Sequence, residues 1–129
     1  MTLAVADLDR SVGFYRDLLG FELKALWGEG AYLEAGPLWL CLSLDPAAAT
    51  GTGRDYGHVA FDVTAEAFDR LSAKVRAAAA IWKDNRSEGA SLYFLDPDGH
   101  KLELHVGSLA SRLAHYRAAP QAGLHIAEA

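Results

Sequence analysis

An imidazole and a carboxylate, His58 and Glu103, lie in two strand-like segments of the chain. Alternation along each segment places them on the face opposite apolar side chains such as Phe61 and Leu104. Because each sheet is expected to curl, a histidine and a glutamate on concave faces could ligate a divalent metal. Either residue alone is more often an exposed or hydrogen-bonded strand residue. An internal repeat of the chain supports the interpretation of the two residues together as metal ligands.

The segment Ile81–Tyr93 combines positive charge with many oxygen atoms. Lys83 and Arg86, together with the hydroxyl of Ser87, could bind an oxyanion. Oxygen donors for a cation surround Gly89, and these donors are Asn85, Ser87, Glu88 and Ser91. A solvated surface loop explains the same mixed-charge composition equally well.

Another group of candidates, Trp39, Cys41 and Ser43, shares one face of a strand, with Tyr32 nearby. Core packing explains Trp39 and Cys41 just as well. No neighbouring sequence feature activates the Cys41 thiol, which argues against a catalytic nucleophile. Arg112, in a helix near the C-terminus, is a further candidate for contact with an anion.

The composition limits the possible function classes. The chain has 129 residues, which suits one domain, and a formal net charge of -5, which argues against nucleic acid and anionic membrane surfaces as partners. A single cysteine excludes an internal disulfide and fits a reducing cytoplasm, where we expect the protein to act. The sequence contains no apolar run of about 18 residues and no secretion signal. It also lacks a serine elbow, a phosphate-binding P-loop, a dinucleotide fingerprint and zinc-finger spacing.

The pattern of apolar residues predicts the order β-α-β-β-β twice, which is an α+β fold. Helices are predicted over residues 8–19 and 65–79 and from Ser108 to Tyr116. Strands are predicted for residues 1–7 and at Phe21–Trp27, Ala31–Glu34, Leu38–Leu44, Tyr56–Val63, Ile81–Lys83, Ser91–Leu95 and Lys101–Val106. The single domain, residues 1–129, divides into a first module (1–45), a linker (46–54), a second module (55–107) and a C-terminal helix and tail (108–129).

Superposing the two modules relates residues that are far apart in the sequence. The overlay places Cys41 opposite Glu103 and Thr2 opposite Ala60. The first-module partner of His58 therefore falls one position before Met1, and the first strand is expected to be shortened at its N-terminus.

Several segments resemble those of one superfamily. They are Thr2–Leu8, Phe14–Phe21, Gly30–Glu34, Leu38–Ser43, Trp82–Gly89 and Tyr93–Gly107. The paired βαβββ modules resemble the vicinal oxygen chelate superfamily of glyoxalases, extradiol dioxygenases and bleomycin-binding proteins. Within it, the Trp-Lys-x-Asn-Arg-Ser-Glu-Gly loop is similar to that of the FosA type of fosfomycin-resistance glutathione transferases.

This resemblance implies a homodimer that confers antibiotic resistance by opening the fosfomycin epoxide with the glutathione thiolate, with Mn²⁺ as Lewis acid and K⁺ as activator. It implies that His58 and Glu103 ligate the divalent metal. The implied potassium ligands are Asn85, Ser87, Glu88, Gly89 and Ser91. The implied phosphonate contacts are Lys83, Ser87, Tyr93 and Arg112, with Trp39 as a wall for the substrate. Thr2 would lie beside the epoxide, and Tyr32 would orient or ionise the thiol. Weaker candidates for the glutathione channel are Trp27, Ser43 and Arg86.

One position departs from the family pattern. A histidine two residues before the threonine matched by Thr2 is the third metal ligand in the family, and here that position precedes Met1. We expect a trimmed start, since the downstream residues agree with an active site. The alternatives are an inactive truncated homologue, a non-catalytic drug-binding protein of the same fold, and a relative that uses bacillithiol or cysteine.

Overall fold

The computed structural model describes residues 1–48, 51–86 and 89–127. They form two four-stranded sheets with the strand orders β1-β4-β3-β2 and β5-β8-β7-β6. The first sheet contains β1 (Thr2–Val5), β2 (Glu22–Trp27), β3 (Gly30–Ala35) and β4 (Leu38–Leu44). The second contains β5 (Val59–Val63), β6 (Ile81–Lys83), β7 (Ser91–Leu95) and β8 (Lys101–Val106). The α-helices are α1 (Leu8–Gly13), α2 (Ala65–Ala78) and α3 (Leu109–Ala118). No helix in these ranges is long and apolar enough to cross a membrane.

The first helix differs from the prediction in its second half. Asp7 caps α1 by accepting a hydrogen bond from the Arg10 amide, but the chain then continues as a π-helical segment, Phe14–Leu18. The prediction of a single helix over residues 8–19 is therefore wrong in type beyond Gly13. The wider turn accompanies the complete burial of Tyr15, whose side chain packs in the core.

The register of the strands confirms the overlay of the two modules. In each sheet the outer strand runs parallel to its neighbour, so that Thr2 pairs with Cys41 and Ala60 pairs with Glu103. On the other side, Tyr32 pairs with Cys41 and Tyr93 with Glu103. Since side chains of paired residues point to the same face, Thr2 and Tyr32 share a face of the first sheet with Cys41.

The opposite faces of both sheets contribute to one core. Leu33, Leu40 and Leu42 of the first sheet are fully buried in the same apolar cluster as Phe94 and Leu102 of the second. The cluster also includes residues of α1 and α2. The candidate site residues alternate with these core positions, so the site faces of the two sheets turn away from the core that the modules share.

The start of β5 corrects another prediction. The sequence predicts a strand from Tyr56, whereas β5 begins at Val59. The Tyr56 carbonyl accepts a hydrogen bond from Nδ1 of His58 at 2.8 Å, so this group bonds a side chain and not a neighbouring strand. His58 therefore lies just before the strand that was expected to contain it.

Candidate functional site

His58 and Glu103 lie side by side in the second module. Nε2 of His58 is 2.9 Å from Oε1 of Glu103, and the two side chains are 19% and 10% exposed. Glu103 extends from β8, and His58 is held by the turn before β5, the strand that pairs with β8. The structure thus brings together the predicted metal ligands, which are 45 residues apart in the sequence.

The hydrogen bonds of His58 fit the binding of a cation. A carbonyl oxygen can only accept, so Nδ1 of His58 donates a hydrogen bond to Tyr56, and Nε2 faces the Glu103 carboxylate. In the neutral imidazole this Nε2 is an acceptor, and a cation between it and the carboxylate satisfies both groups. An imidazole whose remote N–H is fixed by a backbone carbonyl is also the usual arrangement for a metal ligand.

Ser91 and His105 hold the second oxygen of the carboxylate. The Ser91 hydroxyl donates to Oε2 of Glu103 at 2.8 Å and lies 2.6 Å from Nδ1 of His105. Strand alternation puts His105 on the same face of β8 as Glu103, and the sequence alone predicts no role for it. These neighbours fix the orientation of Glu103, and its Oε1 remains directed at His58.

Lys83 brings a positive charge to the same face. Its ammonium lies 4.6 Å from the centre of the Tyr93 ring and hydrogen-bonds the hydroxyl of Tyr56. This hydrogen bond raises the pKa of the Lys83 ammonium above its usual value, so the side chain is charged at neutral pH. Tyr93 is also in ring contact with His58, at 5.9 Å between centres. The arrangement therefore places a fixed cation beside the two predicted metal ligands.

Trp82 packs against the rings of His58 and Tyr93. Its indole N–H donates to the Leu102 carbonyl at 3.1 Å, and its ring contacts His58 and Tyr93 edge-on at 5.4 and 5.3 Å. The sequence alone predicts no role for Trp82 or Tyr56. Their contacts with the site depend on strand pairing, which no local motif reveals.

The candidates of the first sheet form a separate aromatic surface. The ring of Tyr32 contacts Trp27 at 4.8 Å and Trp39 at 5.1 Å. All of these rings are exposed, Trp39 most of all at 58%. A groove of about 320 Å³ runs along Tyr32 and Trp39 towards Lys24. Thr2 is exposed on the same face, which makes this surface available to a ligand or to another chain.

The predicted cation loop is described only in part. Ser87 and Glu88 lie outside the described residues. The Asn85 side-chain amide donates to the Gly89 carbonyl at 2.9 Å, which connects the described residues on the two sides of this gap. Gly89 has a φ of +79°, a conformation that favours glycine. Arg86 is exposed, Arg112 lies in α3, and Ser43 is exposed on β4.

A second cluster of possible ligands, Asp96, Asp98 and His100, lies in the turn between β7 and β8, with ligand atoms within 4.8 Å of one another. Its groups are already engaged in hydrogen bonds. Asp96 accepts from the Tyr15 hydroxyl at 2.7 Å and from the amides of Asp98 and His100. Burial first, and then the Asp96 carboxylate, raise the pKa of the Tyr15 phenol, which remains a proton donor.

Hydrogen bonds of Asp98 and His100 join the second module to the first. The Asp98 carboxylate accepts from the Ala6 amide at 2.8 Å and the Ser11 hydroxyl at 3.2 Å, and Nε2 of His100 donates to the Ala4 carbonyl. Each carboxylate oxygen of the cluster therefore has a donor, and Nε2 of His100 carries a proton. We interpret the cluster as an inter-module hydrogen-bond network and not as a metal centre.

The fold and the site define the class of protein. The family model for the Glyoxalase/Bleomycin resistance protein/Dioxygenase superfamily matches residues 1–104. The chain belongs to this superfamily, as the paired βαβββ modules predict.

Two transferases of this kind are similar to the chain over nearly its whole length. The chain is 57% identical to the glutathione transferase FosA of Serratia marcescens over 127 residues, which cover 96% of this chain and 90% of that protein. It is 37% identical to the metallothiol transferase FosB of Shouchella clausii over 135 residues, covering 99% and 92% of the two chains.

Solved structures of fosfomycin resistance proteins are similar to this chain in fold. The fosfomycin resistance protein FosX of Listeria monocytogenes superposes with a TM-score of 0.77 at 29% identity, over 90% of this chain and 94% of that one. A mutant FosX was solved with Mn(II) and 1S,2S-dihydroxypropylphosphonic acid, and it matches with a TM-score of 0.77 at 29% identity over 89% and 93% of the chains.

Proposed function

We propose that the protein is a metal-dependent glutathione transferase that inactivates fosfomycin by opening its epoxide. The observation that carries the proposal is the His58–Glu103 pair, in which Nε2 and a carboxylate oxygen face each other near the Lys83 ammonium. The 57% identity to a glutathione transferase supports the reaction type, and the fosfomycin resistance proteins of the same fold support the substrate.

The donor set of His58 and Glu103 suits a divalent first-row metal, and we propose Mn²⁺. The FosX complex with Mn(II) supports this choice. When bound, such a metal supplies positive charge that stabilises the epoxide oxygen as its bond to carbon breaks. Ser91 and His105 would keep the Glu103 carboxylate oriented towards that position.

The second sheet would bind the phosphonate. Lys83 supplies a permanent positive charge, and the hydroxyl of Tyr93 would add a hydrogen-bond donor. Arg112 and Ser87 would complete the phosphonate contacts. A phosphonate requires fixed donors of this kind because the protein as a whole carries a net negative charge.

The first sheet would position the thiol and the reacting carbon. Tyr32 would hydrogen-bond the glutathione sulfur, Trp39 would cover the substrate, and Thr2 would donate to the epoxide oxygen. The thiol would release its proton to the solvent, and the thiolate sulfur would form a bond to an epoxide carbon as the C–O bond of that carbon breaks. The released oxygen would take up a proton from the solvent, so that the reaction consumes no net proton. Trp27, Ser43 and Arg86 would line the path of glutathione.

We further propose that K⁺ binds in the loop before β7. Its ligands would be Asn85, Ser87, Glu88, Gly89 and Ser91. A monovalent cation in this place adds positive potential next to the phosphonate site, which a protein of net charge -5 otherwise supplies only through individual side chains.

A homodimer would bring the two halves of the site together. The Tyr32 surface and the His58–Glu103 pair lie on different sheets, and both faces turn away from the shared core. We propose that the first sheet of one copy covers the second sheet of the other, as twofold symmetry allows. The exposed rings of Trp39 and Trp27 would then become buried. Use of glutathione and a single cysteine fit a cytoplasmic location.

Phosphorus NMR tests the proposed function directly. Fosfomycin, glutathione, Mn²⁺, K⁺ and the protein are incubated, the reaction is stopped with a chelator, and the spectrum is examined for an adduct signal. We expect the signal only when the chelator is added after the incubation and not before it. His58→Ala should abolish adduct formation, whereas His115→Ala, a change on the exposed surface of α3, should not.

The outcomes separate the alternatives. Fosfomycin binding without an adduct would indicate a drug-binding protein, and neither binding nor adduct would reject the proposal. Replacing glutathione with cysteine or bacillithiol in the same assay shows which thiol the protein uses.

A further inference from the structure

Tyr56 connects two parts of the candidate site that the sequence analysis treated separately. Its backbone carbonyl oxygen accepts a hydrogen bond from Nδ1 of His58, with 2.8 Å between the two atoms. Its side-chain hydroxyl hydrogen-bonds the Lys83 ammonium. The ring contacts His58 edge-on at 5.0 Å between centres and Trp82 at 5.8 Å. One residue therefore touches both a proposed metal ligand and the proposed phosphonate cation.

The rest of the Tyr56 side chain makes no large contribution to the core. It is 56% exposed, and the neighbouring described residues 51–57 are exposed as well. The backbone of this segment is held by Lys101, whose ammonium hydrogen-bonds the Asp55 carbonyl. Removing the hydroxyl alone should therefore leave the fold, the His58 hydrogen bond and the Trp82 contact in place.

Lys83 needs a partner to keep a defined position. A lysine side chain has four rotatable bonds, and ordering it costs conformational entropy when a ligand binds. Here the ammonium is held between the Tyr56 hydroxyl and the face of the Tyr93 ring. An ammonium has three donor protons, so a hydrogen bond to one hydroxyl leaves two for an incoming anion.

We propose that Tyr56 is a positioning residue for substrate binding, which holds the Lys83 ammonium in place for the phosphonate of fosfomycin. This inference rests on the proposed function. Tyr56 acts through Lys83 and takes no part in the transfer of the thiol.

The direction of the change in fosfomycin binding distinguishes positioning of Lys83 from competition for it. If the Tyr56 hydroxyl competed with the phosphonate for Lys83, removing it would strengthen fosfomycin binding. If it positions Lys83, removing it weakens binding, because the ligand must then order the lysine side chain itself.

The experiment compares steady-state kinetics of the wild-type protein with those of Tyr56→Phe. We expect the KM for fosfomycin to rise by about fivefold, the size of effect given by ordering one long side chain. The KM for glutathione and kcat should change by less than about twofold, since the thiol and the reacting bond are not touched. Tyr116→Phe, on α3, is the matched control and should leave all three constants unchanged.

A double-mutant cycle with Lys83→Ala shows whether Tyr56 acts through the lysine. In the Lys83→Ala background, Tyr56→Phe should have no further effect on fosfomycin binding, measured by calorimetry without glutathione. An unchanged or lower KM in Tyr56→Phe, or an equal loss with and without Lys83, would overturn the inference. A wild-type protein that forms no adduct at all would instead refute the proposed function.

Discussion

Replacement of Asp98 by alanine should destabilise the protein strongly, because this carboxylate joins the two modules. Its side chain is fully buried and accepts hydrogen bonds from the Ala6 amide and the Ser11 hydroxyl, residues about ninety positions away. A hydrogen bond to a charged group contributes about 1.5 to 3 kcal/mol to stability, and a buried donor left without a partner costs about 1 to 3 kcal/mol. Ser11 is fully buried and the Ala6 amide is partly buried, so we expect a loss of about 3 to 5 kcal/mol.

The contact with Arg10 adds little to this sum. Its guanidinium lies 3.4 Å from Asp98 and its side chain is 47% exposed, so solvent screens the ion pair. Arg10→Ala is therefore the matched control, with an expected loss below about 1 kcal/mol. Asp98→Asn preserves the shape of the side chain and one acceptor oxygen, and it should lose about 2 kcal/mol.

Urea denaturation followed by tryptophan fluorescence measures these free energies of unfolding. The alanine variant should also melt about 10 to 20 °C below the wild type, as expected for a domain of this size. A loss of less than about 1 kcal/mol for Asp98→Ala would refute the role of the network. If Asp98→Ala does not fold, the asparagine variant carries the same test.

The same variants distinguish a hydrogen-bond network from a metal site. A metal that binds only the folded protein raises the free energy of unfolding. We expect Mn²⁺ to stabilise Asp98→Asn as much as it stabilises the wild type. Loss of the Mn²⁺ effect in Asp98→Asn, with no change in the metal-free protein, would identify the Asp96–Asp98–His100 cluster as the metal centre.

Two further predictions concern the metal site. Ser91→Ala removes the donor to Oε2 of Glu103, and it should weaken Mn²⁺ binding by about tenfold in a calorimetric titration, whereas Ser108→Ala, at the start of α3, should not. An unchanged affinity in Ser91→Ala would show that the carboxylate needs no support. A variant with a histidine added immediately before Met1 should bind Mn²⁺ more tightly than the protein without it. The reason is that the repeat places this added position in register with His58. Equal affinities of the two chains would contradict the repeat argument.

Much of the two sheets could be predicted because strand alternation is strict. Four strands have the predicted bounds, and these are Leu38–Leu44 of the first sheet and Ile81–Lys83, Ser91–Leu95 and Lys101–Val106 of the second. Since the side-chain period is two, correct strands fix which residues share a face, and this is why the overlay of Cys41 on Glu103 is correct.

Features that depend on long-range contacts were missed or misjudged. Tyr56 lies in an exposed segment, and nothing local indicates a bond to Lys83, which is 27 residues away. Nothing local in the segment Asp96–Gly99 indicates that its carboxylates accept hydrogen bonds from residues of the first module. The π-helical segment was also missed, because its apolar spacing is close to that of an α-helix.

The outward orientation of the two site faces has a genetic consequence. If each site combines the first sheet of one copy with the second sheet of the other, a chain damaged at Tyr32 and a chain damaged at His58 can complement each other. Unfolding and refolding the two inactive proteins together would restore about a quarter of wild-type activity, since half of the dimers are mixed and each mixed dimer has one intact site. A cell producing both defective proteins would then survive fosfomycin that kills cells producing either one alone.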